Sequence, residues 1–261
     1  MECKFCGSKA IRWGTRRNKQ KWRCKSCGKH FTFGEKRIKK EKPLEFNFSL
    51  GYVIGVLVGD GSLSRCKDYH YFDGKNRQVT KCKAIRRVPR FRYSFQLQCK
   101  DEDFAKAFAE HFGRVTGKKV TICAIQSKPV TVIAGNVLRK PYVFHGFKVQ
   151  SISKEWYEKI KPLVIDLSWI HSCGQEVRIG YLRGFYDSEG GVDKRPRVHL
   201  TNKNEALLIL AKNLLAELGI MAHLCRIGNM YRLWIHSKDN VRKFFELVGF
   251  SIYRKKRVFV C

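Results

Sequence analysis

The chain has 261 residues, of which 44% are hydrophobic and 13% aromatic, enough to pack one large domain or two moderate ones. Its 53 Lys and Arg against 22 Asp and Glu give a formal net charge of +31, which points to a polyanionic partner, nucleic acid first. The sequence contains neither an apolar run of about 18 to 20 residues nor a signal peptide's charged and apolar regions. These features exclude a membrane-embedded or secreted protein, so we expect a cytoplasmic, nucleoid-associated, nucleoplasmic or organellar-matrix location.

Two Cys-x-x-Cys pairs near the start of the chain predict a zinc site. Cys3 with Cys6, and Cys24 with Cys27, are separated by a loop of a length usual for such sites, and a glycine follows each pair. The chain has 11 cysteines, an odd number that argues against a disulfide framework. We expect four thiolates to hold one Zn²⁺; the alternative is a pair of redox motifs.

The segment carrying these cysteines is strongly basic and continues into a run of Lys and Arg between Lys36 and Lys42. Residues 1–42 resemble the zinc ribbons at the front of some transposases and other mobile-element proteins. The resemblance implies accessory DNA binding, and the alternative is a small cap that only stabilises the fold.

Two glycine-rich segments are copies of one motif. Residues 49–61 read SLGYVIGVLVGDG and residues 179–190 read IGYLRGFYDSEG, which align without gaps. Small residues recur every fourth position, and so occupy one face of a helix, at Gly51, Gly55, Gly180 and Gly184. Each Gly in a helix costs about 1 kcal/mol relative to Ala, so we expect the two helices to pair closely along these faces.

Each copy ends in an acid followed by glycine, as Asp60-Gly61 and Glu189-Gly190. We expect each glycine to adopt the left-handed conformation and end its helix, so that the two acids meet. Two carboxylates at the negative ends of helix dipoles repel unless a cation lies between them, and oxygen ligands suit Mg²⁺. The alternative is that both acids are exposed helix ends.

Both segments resemble the signature of LAGLIDADG homing endonucleases, whose nine positions fall on residues 53–61 and 182–190. The first acid of that signature is replaced by Val58 in the first copy and retained as Asp187 in the second. The resemblance implies an α+β fold in which two pseudo-symmetric αββαββα repeats, residues 43–172 and 173–261, form a DNA-binding β-sheet saddle behind the small N-terminal zinc ribbon.

The resemblance also implies a function: a monomer that makes a double-strand break in a long asymmetric DNA target and so supports intron or mobile-element homing. It implies Mg²⁺ or Mn²⁺ held by Asp60 and Glu189 together with the residues before them, Gly59 and Ser188. Two alternatives stay open, an intron RNA maturase and a DNA-binding regulator that has lost cleavage.

Alternating polar and apolar residues after each copy predict strands, and their polar faces suit base edges in a major groove. Turn signals at Gly135-Asn136 and Gly228-Asn229 predict a second hairpin in each repeat. The side chains expected to contact DNA are Arg86, Arg87, Arg90, Arg92, Gln96, Gln98, Lys148 and Gln150 in the first repeat and Arg195, Arg197, His199, Thr201, Arg232, Trp234 and His236 in the second. The alternative is an ordinary solvated sheet face.

Four further positions are assigned around the acids. Cys99 and Asn202 align where the family often has a polar residue that organises water at a strand end. Lys148 and Lys194 are expected as basic catalytic helpers. The basic tail 254–257 is expected to contact the DNA backbone.

Overall fold

The structure, a computed structural model, describes residues 1–16, 19–32, 42–72, 78, 80, 86–127, 129–133, 136–193, 195 and 197–260. The chain divides into two compact units, Met1–Pro43 and Leu44–Cys261. None of the helices in the described ranges combines the length and apolar character needed to cross a membrane.

The smaller unit is a three-stranded antiparallel sheet in the order β1 (Ala10–Arg16), β2 (Lys19–Cys24), β3 (His30–Thr32). Its core is small, consisting of Cys3, Ala10, Cys24 and Phe31 with Trp22 packed against them. So few apolar side chains bury little surface, which makes a metal cross-link the expected source of stability in a module of this size.

The larger unit contains two repeats, each beginning with one of the glycine-rich helices. The first repeat consists of α1 (Phe48–Val58), β4 (Gly61–Phe72), β5 (Arg86–Cys99), α2 (Glu102–Thr116), β6 (Thr121–Gln126), β7 (Val130–Ile133), β8 (Asn136–Tyr142), β9 (His145–Ile152) and α3 (Lys154–Ile165). A short 3-10 helix, Ser168–Ser172, leads to the second repeat. That repeat consists of α4 (Gln175–Glu189), β10 (Gly190–Val192), β11 (Val198–Asn202), α5 (Glu205–Glu217), β12 (His223–Ile227), β13 (Met230–Ile235), α6 (Lys238–Leu247) and α7 (Tyr253–Val260).

The two repeats build equivalent antiparallel sheets, in the orders β4-β5-β9-β6 and β10-β11-β13-β12. In each order the second strand pairs with the first and the third, which confirms the predicted pseudo-symmetric α+β fold. Two details differ from the prediction. A separate hairpin, β7–β8, is inserted between β6 and β9; Asn136 begins β8, and Gly135 lies outside the described residues. Strand β11 starts at Val198, so Arg195 and Arg197 precede it. The basic tail 254–257 lies in the helix α7.

Helices α1 and α4 pack against each other through their glycine faces, as expected. A Cβ atom built on Gly51 would lie 2.1 Å from the carbonyl oxygen of Val177, and one on Gly184 would lie 2.2 Å from that of Tyr52. Gly55 and Gly180 meet equally close carbonyl oxygens, those of Tyr181 and Phe48. No side chain fits at these positions, so the spacing of the glycines fixes which faces of the two helices touch.

The glycines after the two acids act differently from the prediction. Gly190 has φ −94° and Gly61 is not among the residues with positive φ, so neither is a left-handed helix cap. Both start a strand that turns back tightly on the preceding helix. A Cβ on Gly190 would lie 2.6 Å from the carbonyl oxygen of Tyr186, and one on Gly61 would lie 2.9 Å from that of Val56. Glycine is required at these two positions because the preceding helix comes too close for a side chain, and not because φ is positive.

Candidate functional site

The ends of α1 and α4 meet beside the two acids. A Cβ built on Gly59 would lie 2.4 Å from Cβ of Ser188 and 3.3 Å from Cγ of Glu189. Asp60 follows Gly59 directly, so the helix pairing brings both acids to one place. Asp60 and Ser188 line a cavity of about 280 Å³, together with Gln98 and Cys99 from the end of β5.

The two carboxylates lie in a desolvated site near the buried Lys255. Desolvation raises the pKa of Asp60, and desolvation followed by the charge of Asp60 raises the pKa of Glu189, while the charge of Lys255 opposes both rises. No ion pair within the described ranges joins either acid to a Lys or Arg. Two adjacent hard oxygen donors that form no ion pair in the described part of the chain fit Mg²⁺ or Mn²⁺, which would lower the electrostatic energy of the site.

The two strands that end beside the acids carry different side chains at their last positions. Asn202, at the end of β11, lies near Glu189, and its side-chain amide acts to lower the pKa of that acid. Its counterpart Cys99 is buried at the end of β5, and its thiol donates a 3.4 Å hydrogen bond to the carbonyl oxygen of Asp101. Burial raises the pKa of Cys99 to about 12, with a further contribution from nearby acids including Asp60. The thiol therefore stays neutral, and only the Glu189 side has a polar amide at the strand end.

Lys255 is a residue that the sequence did not single out. It lies on α7, is 6% exposed, and lines the same cavity as Asp60. Its ammonium group donates hydrogen bonds to the carbonyl oxygens of Asp187 (2.7 Å) and Tyr186 (3.1 Å), and burial lowers its pKa to about 8. The basic run 254–257 gave no signal that one of its members points inward, because only tertiary contacts decide that.

Of the predicted basic helpers, Lys194 lies outside the described residues. Lys148 on β9 is paired in register with Gln98, and it lines a different cavity of about 350 Å³ with Lys118 and Lys119. Asp187, the retained first acid of the motif, is 1% exposed. It accepts hydrogen bonds from the Tyr52 hydroxyl (2.8 Å) and the Ser251 amide (2.8 Å), which gives it a structural position.

Most of the polar side chains predicted on the first sheet share one face. Gln96 is paired in register with Gln150, and Gln98 with Lys148. Arg90 and Arg92 continue the same alternation along β5, and both are exposed. Arg92 forms an ion pair with Asp68 (2.8 Å) and Arg90 a hydrogen bond with His70 (2.9 Å), both across the β4–β5 hairpin.

Of the two predicted arginines at the start of β5, only Arg87 has a described side chain. Arg87 lies on the opposite face of the strand, with its guanidinium 4.9 Å from the ring centre of Tyr69. The side chain of Arg86 lies outside the described residues. The structure therefore does not place Arg87 with the other predicted contacts, because Arg87 and Arg90 differ by an odd number of positions along the strand.

The second sheet shows a similar polar face. His199 is paired in register with Trp234, and Thr201 with Arg232, whose Nε donates to the Thr201 hydroxyl at 3.0 Å. His236 follows β13 in the same alternation and is exposed. Arg197 lies before the strand, held by Asp193 (2.8 Å) and 4.8 Å from the Trp234 ring centre, whereas Arg195 is exposed in the preceding loop.

Comparisons with known proteins identify the fold of the larger unit. Residues 176–249 match the family model of the LAGLIDADG-like domain. The homing endonuclease I-DmoI, in its complex with DNA and Mn, has a TM-score of 0.54 and 20% identity, covering 78% of this chain and 98% of that one. The chain has the two-repeat LAGLIDADG fold. Mesophilic variants of I-DmoI give a TM-score of 0.53 at 22% identity over 78% of this chain and 96% of theirs.

Two curated relatives come from Methanocaldococcus jannaschii, and both are uncharacterized proteins. MJ0398 is 25% identical over 79% of this chain and 68% of its own length, and MJ0314 is 27% identical over 75% and 65%. The chain thus spans about two thirds of the length of each relative.

Ahead of the LAGLIDADG repeats, the N-terminal unit gathers its four thiols. The sulfurs of Cys3 and Cys27 are 3.7 Å apart, those of Cys6 and Cys24 are 3.5 Å apart, and all four lie within 4.8 Å of one another. A tetrahedral zinc site with Zn–S bonds of about 2.3 Å requires sulfur separations of about 3.8 Å. The cluster therefore fits a zinc ribbon.

Proposed function

We propose that this protein is a metal-dependent DNA endonuclease of the homing type, which makes a double-strand break in a long asymmetric target. The observation that carries the proposal is the meeting of Asp60 and Glu189 at the end of the α1–α4 pair, between two sheets with polar and basic faces. Two adjacent acids would weaken the DNA binding of a protein that only binds DNA, since carboxylates repel phosphates.

In this proposal Asp60 and Glu189, with Gly59 and Ser188 beside them, hold Mg²⁺ or Mn²⁺. The bound ion supplies Lewis-acid stabilisation of the phosphate and an activated water. Asn202 orients water next to Glu189 through its side-chain amide. The sheet faces hold the duplex, because phosphate contacts give affinity while side chains such as Gln96 and Arg232 meet base edges.

The protein should act as a monomer, because both acids are present in one chain. The two sheet faces differ: the first carries Gln96, Gln98 and Arg92, and the second carries His199, Thr201 and Trp234. Different faces select different half-sites, so the target should be asymmetric. The zinc ribbon would add sequence-independent DNA contact through its basic surface.

Selection of cleaved molecules tests this function. The full chain is incubated with a library of random duplexes and Mg²⁺, and cut ends are sequenced. We expect one asymmetric site cut on both strands. Asp60→Asn and Glu189→Gln should bind that site with affinity close to wild type but cut it at least about a thousandfold more slowly, since several kcal/mol of transition-state stabilisation are lost.

Glu217→Gln is the matched control. Glu217 is an acid on α5 that pairs with Arg178 at 2.6 Å, and its substitution removes one carboxylate elsewhere on the surface. It should cut normally. A wild-type protein that yields no cut ends with Mg²⁺ or Mn²⁺, but still enriches one duplex sequence when bound molecules are selected from the same library, would instead be a regulator. A palindromic cut site would contradict monomeric action.

A further inference from the structure

The β4–β5 hairpin extends beyond the other strands of its sheet. In the described part of the chain, β9 pairs with β5 over residues 94–99, whereas β4 pairs with β5 as far as Arg86. Helix packing also stops near this level. Tyr93, against Tyr157 of α3, is 9% exposed, whereas Phe91, the next residue on that face, is 45% exposed. From Phe91 outward the hairpin is therefore a two-stranded ribbon with solvent on both faces.

The two faces of this ribbon carry different side chains, since successive residues of a strand point to opposite faces. One face continues the polar face of the first sheet and carries Arg90, Arg92 and Asp68. We call the opposite face the outer face; it comprises Arg65, Lys67, Tyr69 and Tyr71 on β4 and Arg87 and Phe91 on β5. Because Asp68 lies on the polar face, these outer-face residues are cations and aromatic rings without a carboxylate among them.

The cations of the outer face lie against its rings. The guanidinium of Arg65 is 4.0 Å from the ring centre of Phe91, and that of Arg87 is 4.9 Å from the ring centre of Tyr69. The ammonium group of Lys67 is 5.7 Å from the same Tyr69 ring. None of the ion pairs within the described ranges includes these three cations. Their charge is therefore open to an anionic partner, and Phe91 keeps exposed ring surface beside Arg65.

A partner that fits the outer face must offer negative charge and flat apolar groups together. An unpaired nucleic-acid strand offers both, because its phosphates attract cations and its bases stack on aromatic rings. A duplex keeps its bases stacked on one another inside the helix, so the rings would have nothing to stack on. The polar face also points away from the outer face, so one ribbon can meet a duplex on one side and a single strand on the other.

We propose that the outer face of the β4–β5 ribbon binds a single strand of nucleic acid, DNA or RNA. Unpaired bases stack on Phe91 and Tyr69, and the cations beside these rings neutralise the phosphates. This site is separate from the paired acids and its binding needs no Mg²⁺. It goes beyond the proposed endonuclease function and does not depend on it.

Fluorescence anisotropy of labelled oligonucleotides tests the site in the full chain. Thymidine and uridine oligonucleotides are titrated without Mg²⁺, in excess unlabelled random-sequence duplex that occupies the polar face and the other basic surfaces. We expect the single strand to stay bound, and the tighter of the two oligonucleotides identifies DNA or RNA as the source. Phe91→Leu and Tyr69→Leu keep apolar side chains but remove the rings, and each should weaken binding at least about fivefold, as for loss of one stacked base.

Two control variants make the result specific. Arg92→Gln removes a charge from the polar face of the same ribbon, so it should weaken duplex binding and leave single-strand affinity unchanged. Tyr253→Leu removes a ring that is 67% exposed on α7 and should also leave single-strand affinity unchanged.

Photo-cross-linking of wild-type protein keeps the test independent of the folding of the ring variants. An oligonucleotide that contains iodouracil should cross-link to Phe91, Tyr69 or Tyr71, mapped by mass spectrometry. Cross-links confined to other parts of the chain, full displacement of the single strand by duplex, or equal losses in Phe91→Leu and Arg92→Gln would overturn the proposal. Failure to bind either oligonucleotide would also overturn it, and would leave the cation–ring contacts as cross-strand packing or as a surface for an acidic protein. Duplex cleavage, measured separately, decides the endonuclease proposal.

Discussion

Tyr52 on α1 donates a 2.8 Å hydrogen bond to the buried carboxylate of Asp187 on α4. When the two motif copies are exchanged, the corresponding pair is Tyr181 on α4 and Val58 on α1, so that an isopropyl group replaces the carboxylate. Within the described residues the buried hydroxyl of Tyr181 has no hydrogen-bond partner. The duplicated motif is therefore symmetric in its glycines but not in the polar contacts across the helix pair.

This asymmetry predicts that the same substitution has different effects on stability at the two matched positions. Tyr52→Phe removes a donor from a buried carboxylate and should lower the free energy of unfolding by about 1 to 3 kcal/mol. Tyr181→Phe removes a buried hydroxyl that bonds to nothing described, so it should leave stability unchanged or raise it slightly. Urea denaturation of both variants measures the difference, and equal losses would contradict it.

The glycine faces predict a second matched pair. Gly55→Ala would place a methyl group 2.2 Å from the Tyr181 carbonyl oxygen, so α1 and α4 must separate. We expect a loss of about 3 kcal/mol or more, at the upper end of overpacking effects. At Gly113 in α2, the same methyl would meet only the Lys118 carbonyl oxygen at 3.4 Å. Gly113→Ala should be neutral or stabilising by up to about 1 kcal/mol, as for Ala in any helix. Thermal unfolding of the two variants in the opposite order would refute the packing argument.

The sequence predicted the parts of the molecule that local patterns determine. Glycine spacing alone identified the α1–α4 interface and therefore the meeting of Asp60 and Glu189. Strand alternation identified the polar sheet faces. The sequence could not identify Lys255 as a buried residue, since residues 254–257 are all basic. Tertiary contacts, such as those of Arg254 with Asp101, decide which of them turns inward. The turn signal at Gly135-Asn136 likewise fixes a hairpin but not the sheet that it joins.

Histidine burial predicts loss of stability in mild acid. His111 on α2 bonds to the Ser49 hydroxyl (3.0 Å) and packs 4.4 Å from the Tyr52 ring. Burial, followed by the charge of Arg114, lowers its pKa to about 4 from an ordinary value of about 6.5. Between these values the unfolded chain binds a proton that the folded protein does not, so the stabilisation present above pH 6.5 falls as the pH drops towards 4.

Urea denaturation at pH 7 and at pH 4.5 measures this effect. His111→Asn keeps a polar atom near the Nδ1 position, so that the bond to Ser49 is retained, but it cannot titrate. The variant should lose less stability than wild type between the two pH values. An identical loss in both proteins would assign the acid sensitivity to other groups.

The N-terminal thiols predict one zinc per chain, held independently of the acids. Cys24 is fully buried in the core of the small unit and belongs to the sulfur cluster, whereas Cys123 is exposed on β6. Cys24→Ser should lose the zinc, as measured by elemental analysis after gel filtration, because three thiolates leave the tetrahedron open. Cys123→Ser should keep it.

Removal of residues 1–42 should weaken DNA binding and flatten its dependence on salt, since fewer phosphates are neutralised, while Mg²⁺-dependent cutting persists. Zinc retained by Cys24→Ser, or a truncated protein that cuts at no concentration, would contradict the separation of the two metal sites.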